Sequence, residues 1–191
     1  MIGTQLFEGT EIHLTAIDPE KDAVLESAWM HDLSFADLQR QGTFHHLSVV
    51  EAKKHFEEMQ KEAEEKGNQF HFAVRTKSDQ RLIGFVHIAW VSWSNGSAFM
   101  RLVIAEPEDL ARYGQAVLDM LLRYVFCELN LYHVTVILPE YNREMGELWE
   151  AAGFHLEVRM RDFYYRSGRL WDQLIYGMLS DEWQKKPEVQ Q

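Results

Sequence analysis

The sequence is poor in anything that staples a fold or spans a membrane: it holds one cysteine, four prolines and no long apolar run in 191 residues. A lone Cys127 excludes an intrachain disulfide framework and a zinc site built from several cysteines. It lies in an apolar helical run, so a buried thiol is expected. No apolar stretch approaches the roughly 20 residues of a membrane span. Residues 1–8 have neither a basic start nor a long apolar core, so no secretory signal is read there and the cytoplasm is the expected compartment. Cations are scarce too, 19 Lys and Arg against 30 Asp and Glu, for a net charge of −11. That balance argues against nucleic acid as a partner, because neutralising phosphates needs a basic face. It suits a cationic amine drawn in by a negative field, and equally a surface that is merely soluble.

What is present is core-forming material, 46% apolar and 13% aromatic. One domain over residues 1–183 is expected, with a frayed polar tail over 184–191. Residues 12–16 alternate like a short strand. Asp18-Pro19 starts a helix, with Asp as cap and Pro where its missing N–H costs nothing. Val24, Leu25, Ala28 and Trp29 fall on one face at helical spacing. Residues 31–47 are irregular. Ser48 and Glu51 form a capping box, Ala52, Phe56, Met59 and Ala63 share one helical face, and Gly67 is placed to end that helix.

Strands are expected over 70–74, 82–90 and 98–104, the last two joined by an Asn95-Gly96 hairpin. A loop over 105–113 leads to a helix from about 114 to 129, with Val117, Leu118, Leu121, Leu122 and Val125 inward. A strand over 133–138, a short helix after Asn142, and a hairpin of strands 154–165 and 170–178 turning at Ser167-Gly168 complete the chain. The pattern means an α/β fold with a mixed, mostly antiparallel sheet flanked by helices. Nine histidines occur, His45 and His46 among them, yet none has metal-ligand spacing such as His-Glu-x-x-His, so no metal is expected.

The segment Tyr141-Asn142-Arg143-Glu144-Met145-Gly146-Glu147-Leu148-Trp149-Glu150-Ala151-Ala152-Gly153-Phe154 is an Asn-capped helix closed by Gly-Phe between two strands. It resembles the late motif of the Gcn5-related N-acetyltransferases (GNAT), most of all the RimJ/RimL-like branch, and the likeness extends over roughly residues 12–183. The resemblance implies the GNAT fold and acetyl-CoA as co-substrate. It implies that the pantetheine arm pairs with the strand before the third helix, here Met100-Arg101-Leu102-Val103-Ile104. It implies that the pyrophosphate meets the loop and helix start that follow, which suits the unpaired donors and partial positive charge of a helix N-terminus. On those grounds Val103, Ile104, Arg112, Tyr113, Gly114, Gln115 and Asn142 are the expected cofactor contacts. His87, Trp90 and Trp93 are the candidates for the acceptor side, where the tryptophans offer a cation–π wall to an amine. Sheet packing for both tryptophans and a structural hydrogen bond for His87 stay open beside that role.

Three positions depart from the family pattern. The loop Ala105-Glu106-Pro107-Glu108-Asp109-Leu110-Ala111-Arg112-Tyr113-Gly114 is one residue short, keeps one glycine and carries three acids. Phe99 stands where many relatives have a catalytic Glu. Trp149 stands where many have a Tyr that protonates the leaving thiolate, and its indole N–H cannot shuttle a proton near neutral pH. Arg159, Arg161, Tyr164, Tyr165 and Arg166 match a family stretch that is structural or a dimer contact. The first reading is therefore an N-acetyltransferase acting on a small-molecule or peptide primary amine, such as a protein N-terminus or a polyamine, as monomer or homodimer. The second is a catalytically degenerate GNAT domain serving as an acyl-CoA sensor or protein-interaction module. A dimeric structural protein without CoA is the third. The sequence assigns no catalytic residue.

Overall fold

Capping and turn residues fix most element ends in the computed structural model, which describes residues 6–32, 35 and 47–184. Numbered over those residues, the elements are β1 (Ile12–Thr15), α1 (Pro19–Trp29), α2 (Val49–Lys66), β2 (Phe70–Thr76), β3 (Leu82–Ser92), β4 (Ser97–Ile104), α3 (Pro107–Arg123), β5 (His133–Pro139), α4 (Arg143–Ala151), β6 (His155–Arg166), β7 (Arg169–Leu179) and α5 (Ser180–Gln184). The strands follow the order β1-β2-β3-β4-β5-β7-β6 in one sheet. Most of the expected irregular stretch 31–47, with His45 and His46, lies outside the described residues, as does the tail beyond Gln184. No helix among the described residues is long and apolar enough to cross a membrane.

The chain divides into two compact units, Met1–His87 with Leu102–Tyr113, and Ile88–Arg101 with Gly114–Gln191. In the first, Ser48 accepts the Glu51 N–H while Glu51 Oε2 accepts the Ser48 N–H at 2.8 Å, so both ends of the capping box are closed. Gly67 ends α2 in the left-handed region at φ 61°. Ala52 and Phe56 point from α2 into a core with Ile17, Ala23, Ala73, Leu82 and Phe85. Burying a side chain the size of Phe56 contributes about 1.5–3 kcal/mol.

The face of α1 differs from the expectation. Val24, Leu25 and Ala28 are exposed, while Asp22, Ala23 and Ser27 are buried. Polar pairing turns the helix. Both carboxylate oxygens of Asp22 accept from Arg75 Nη2, at 2.7 and 2.8 Å, and Ser27 Oγ donates to the Leu47 carbonyl at 2.8 Å.

In the second unit β4 and β5 run parallel from Ser97↔His133 to Met100↔Val136, and β7 is antiparallel to both β5 and β6. Val117, Leu118, Leu121, Leu122 and Val125 are all buried, as their spacing requires. Ser167 and Gly168 both take positive φ, 52° and 76°, the mirror-image turn that matches strand twist. Cys127 is exposed rather than buried: it sits in a wider π turn over Tyr124–Glu128 that sends Val125 and Phe126 inward instead.

Candidate active site

Two residues separate β4 from α3, so the expected loop 105–113 is mostly helix. Pro107 supplies a helical φ at the first position, and Glu108 and Asp109 lie in the first turn, where the helix dipole favours negative charge. The first intrahelical bond runs from the Leu110 N–H to the Glu106 carbonyl at 3.0 Å, which leaves the N–H groups of Glu108 and Asp109 ahead of it as donors for an anion. The acids there are partly neutralised. Asp109 is buried and bidentate with Arg81 at 2.7 and 2.8 Å, an arrangement that raises the Arg81 pKa through the Asp109 hydrogen bonds.

Arg112 lies in the second turn, paired with Glu11 and stacked 4.9 Å over the Tyr113 ring, and its pKa is raised chiefly by the Glu11 hydrogen bond. Val103 and Ile104 are buried at the end of β4. Backbone approaches so closely there that a Cβ on Gly84 would stand 1.9 Å from the Val103 carbonyl oxygen, so only glycine fits. His87, in the same unit, bonds His71 through their Nδ1 atoms at 2.9 Å, which gives it the structural partner the sequence left open. Burial first, and then the charge of His55, pushes the His71 pKa down to about 4.

The second unit holds the remaining candidates. Gly114 is buried, and Gln115 donates to Asp119 Oδ1 at 2.8 Å. Asn142 caps α4, its Oδ1 accepting the Met145 N–H at 3.4 Å. Trp149 is 2% exposed and packs edge-on against Phe154 at 4.8 Å. Asn142, Arg143, Gly146, Glu147, Glu150 and Tyr176 line part of a cavity of about 160 Å³. There the Tyr176 hydroxyl donates to Glu150 Oε1 at 2.9 Å, and burial, with that bond second, pushes its pKa up to about 12, so the phenol keeps its proton.

Phe99 carries Trp90 edge-on at 5.3 Å. Trp90 is 65% exposed and has φ 52°, a conformation that costs a bulky residue about 1–2 kcal/mol and is concentrated at functional sites. Trp93 is exposed in the turn that follows. Arg159 holds Glu140 and Asp172 at 2.8 Å each, and Arg166 donates to the Tyr141 hydroxyl at 2.7 Å; these contacts lie within the chain. Sequence reasoning missed Tyr176 with Glu150 and His133 with Glu157, because each pair joins residues far apart in the chain rather than at local spacing. No cluster of three or more His, Cys, Asp or Glu among the described residues is arranged to hold a metal.

The acetyltransferase (GNAT) domain family model matches residues 12–155. A SPbeta prophage-derived uncharacterized N-acetyltransferase, YokL, of Bacillus subtilis is 24% identical over 176 residues, covering 92% of this chain and 94% of that protein. The probable N-acetyltransferase YjcK of the same organism is 30% identical over 122 residues, 62% of this chain and 66% of its own. Among solved structures, the spermidine N-acetyltransferase from Vibrio cholerae in complex with CoA and spermine superposes with a TM-score of 0.74 at 19% identity, covering 92% of this chain and 99% of that one.

Proposed function

Because this chain belongs to the GNAT acetyltransferase family, we propose that it transfers an acetyl group from acetyl-CoA to a primary amine, with a polyamine as the acceptor class. The observation that carries the reading is the family match over residues 12–155, which takes in both β4 with the start of α3 and the Asn142 helix. The residues present fit an acyl-CoA. Val103 and Ile104 give an apolar strand end, and the free N–H groups of Glu108 and Asp109 beside the Arg81-neutralised carboxylate give anion donors. Arg112, Tyr113, Gly114, Gln115 and Asn142 complete the proposed cofactor contacts. Acetyl-CoA supplies an activated thioester carbon; the chain's part is to orient it, admit a neutral amine and take up the ammonium proton. Trp90 and Trp93 present exposed aromatic faces to a cationic acceptor, and His87 is the third residue assigned to that side. The acidic balance of −11 favours a polycation over an anionic acceptor.

Phe99 and Trp149 carry no titratable group, and this observation favours the second reading, a domain that binds acyl-CoA without turnover. A thiol-release assay with acetyl-CoA and a panel of amines including spermidine and spermine, run beside a thermal shift, separates the two. At ligand a hundred times its Kd, binding adds about 2.7 kcal/mol, a melting rise of roughly 5–10 °C for a chain this size. A shift with thiol release upholds acetyl transfer. A shift without release selects the sensor, and no shift at millimolar acetyl-CoA refutes both.

A further inference from the structure

On β5 and its neighbours, three separate features of the backbone converge on one pair of side chains. β6 is interrupted by a bulge between Leu156 and Val158, and the extra residue is Glu157. A bulge re-aims a side chain, and here the Glu157 carboxylate comes to lie over Gly177 of β7. A Cβ on Gly177 would stand 2.2 Å from Glu157 Oε1 and 2.5 Å from Oε2, so the glycine is what makes room for it. The carboxylate then meets His133 Nε2 at 3.0 Å. The third feature is at the start of β5, where the Gly96 carbonyl accepts the N–H of both Tyr132 and His133, at 2.6 and 3.0 Å, and so fixes the His133 backbone.

Strand register places this pair on the face that carries Phe99. Phe99 is paired with Thr135, and Thr135 with Gly177, so the three share a face. His133 precedes Thr135 by two residues and therefore points the same way. Two strand spacings, roughly 10 Å, separate Phe99 from the carboxylate's seat on Gly177. Both side chains are reachable by solvent, at 29% and 38% exposure, so a proton taken up there can leave.

We propose that His133 is the base for the acceptor amine and that Glu157 is its positioning residue, standing in for the carboxylate that Phe99 lacks. The inference rests on the acetyl-transfer reading. A carboxylate only accepts, so in the neutral imidazole Nε2 carries the hydrogen and Nδ1 the lone pair. Nδ1 takes one proton from the bound ammonium, directly or through one water. The freed lone pair attacks the thioester carbon, a C–N bond forms and the C–S bond breaks. The second nitrogen proton goes, through water, to the departing thiolate, and His133 returns its own proton to solvent.

The test uses the full chain and the variants His133→Ala, Glu157→Gln and Gly177→Ala. The Cβ of Gly177→Ala meets only the far end of a flexible side chain, so the fold is kept while the carboxylate is pushed aside. Nitrogen-15 NMR of the imidazole should find neutral His133 with hydrogen on Nε2 in the wild type and a mixture of tautomers in Glu157→Gln and Gly177→Ala. In thiol release, His133→Ala should lose kcat on the order of 100-fold with KM for acetyl-CoA unchanged, and added imidazoles should restore it in proportion to their base strength. Glu157→Gln and Gly177→Ala should each lose about tenfold, and the double variant no more than either alone. Hydrogen on Nδ1 in the wild type overturns the pairing whatever the activity. Full kcat in Glu157→Gln, or a His133→Ala loss that imidazole does not restore, overturns the base while leaving acetyl transfer standing. A wild type with the expected tautomer but no thiol release on any amine refutes acetyl transfer, and the base role falls with it.

Discussion

Replacing Arg75 with Met removes a guanidinium but keeps most of the stem, and the cost follows from what is left behind. Asp22 is 1% exposed, with two hydrogen bonds from Arg75 Nη2 and one from the Asp18 N–H at 2.9 Å. Arg75 also donates from Nε to Thr15 Oγ1 at 3.1 Å, so one side chain ties α1, β1 and β2 together. Two charges about 4 Å apart at an effective dielectric near 20 attract by about 4 kcal/mol. Removing one partner of a buried pair costs about 3–5 kcal/mol, so the two routes agree. For 191 residues that is a fall in melting temperature of roughly 6–20 °C. Urea unfolding followed by tryptophan fluorescence measures the loss, read as a lower midpoint at unchanged slope. The double variant Asp22→Leu/Arg75→Met should recover most of it, because no charge is then stranded. A loss in Arg75→Met below about 1 kcal/mol would refute the reasoning and mean that water reaches Asp22.

Gly84→Ala should cost about 1–3 kcal/mol or more, since its Cβ would meet a backbone oxygen that cannot swing away; weakened acetyl-CoA binding should accompany it, and a variant as stable as the wild type refutes the close approach. His71 gives a pH dependence with a definite sign. Its folded pKa of about 4 lies below the ordinary 6.5, so the unfolded chain binds the extra proton in that window. Its stabilisation is full above pH 6.5 and lost as the pH falls through 4. In His71→Gln the slope of stability against pH between those values should flatten, and an unchanged slope assigns the acid sensitivity to other groups.

Much of the architecture was legible in the sequence because its signals are local. Asp18-Pro19, Ser48 with Glu51, Gly67, Asn95-Gly96, Asn142 and Ser167-Gly168 each satisfy or terminate backbone within a few residues, and each does so in the structure. The motif from Tyr141 to Phe154 carried the family for the same reason, being one contiguous piece. Long-range pairing decided the rest. Apolar spacing placed Val24, Leu25 and Ala28 inward, yet Arg75, 53 residues from Asp22, turned the opposite face of α1 to the core. The stretch 105–113 looked like a loop by comparison with glycine-rich relatives, while Pro107 and a buried Asp109 held by Arg81 start a helix there. The Glu157 carboxylate reaches His133 through a bulge and a glycine on the neighbouring strand. A sequence sets which residues can cap, turn or alternate, whereas register and burial set which charges meet, because that energy depends on desolvation across strands far apart in the chain.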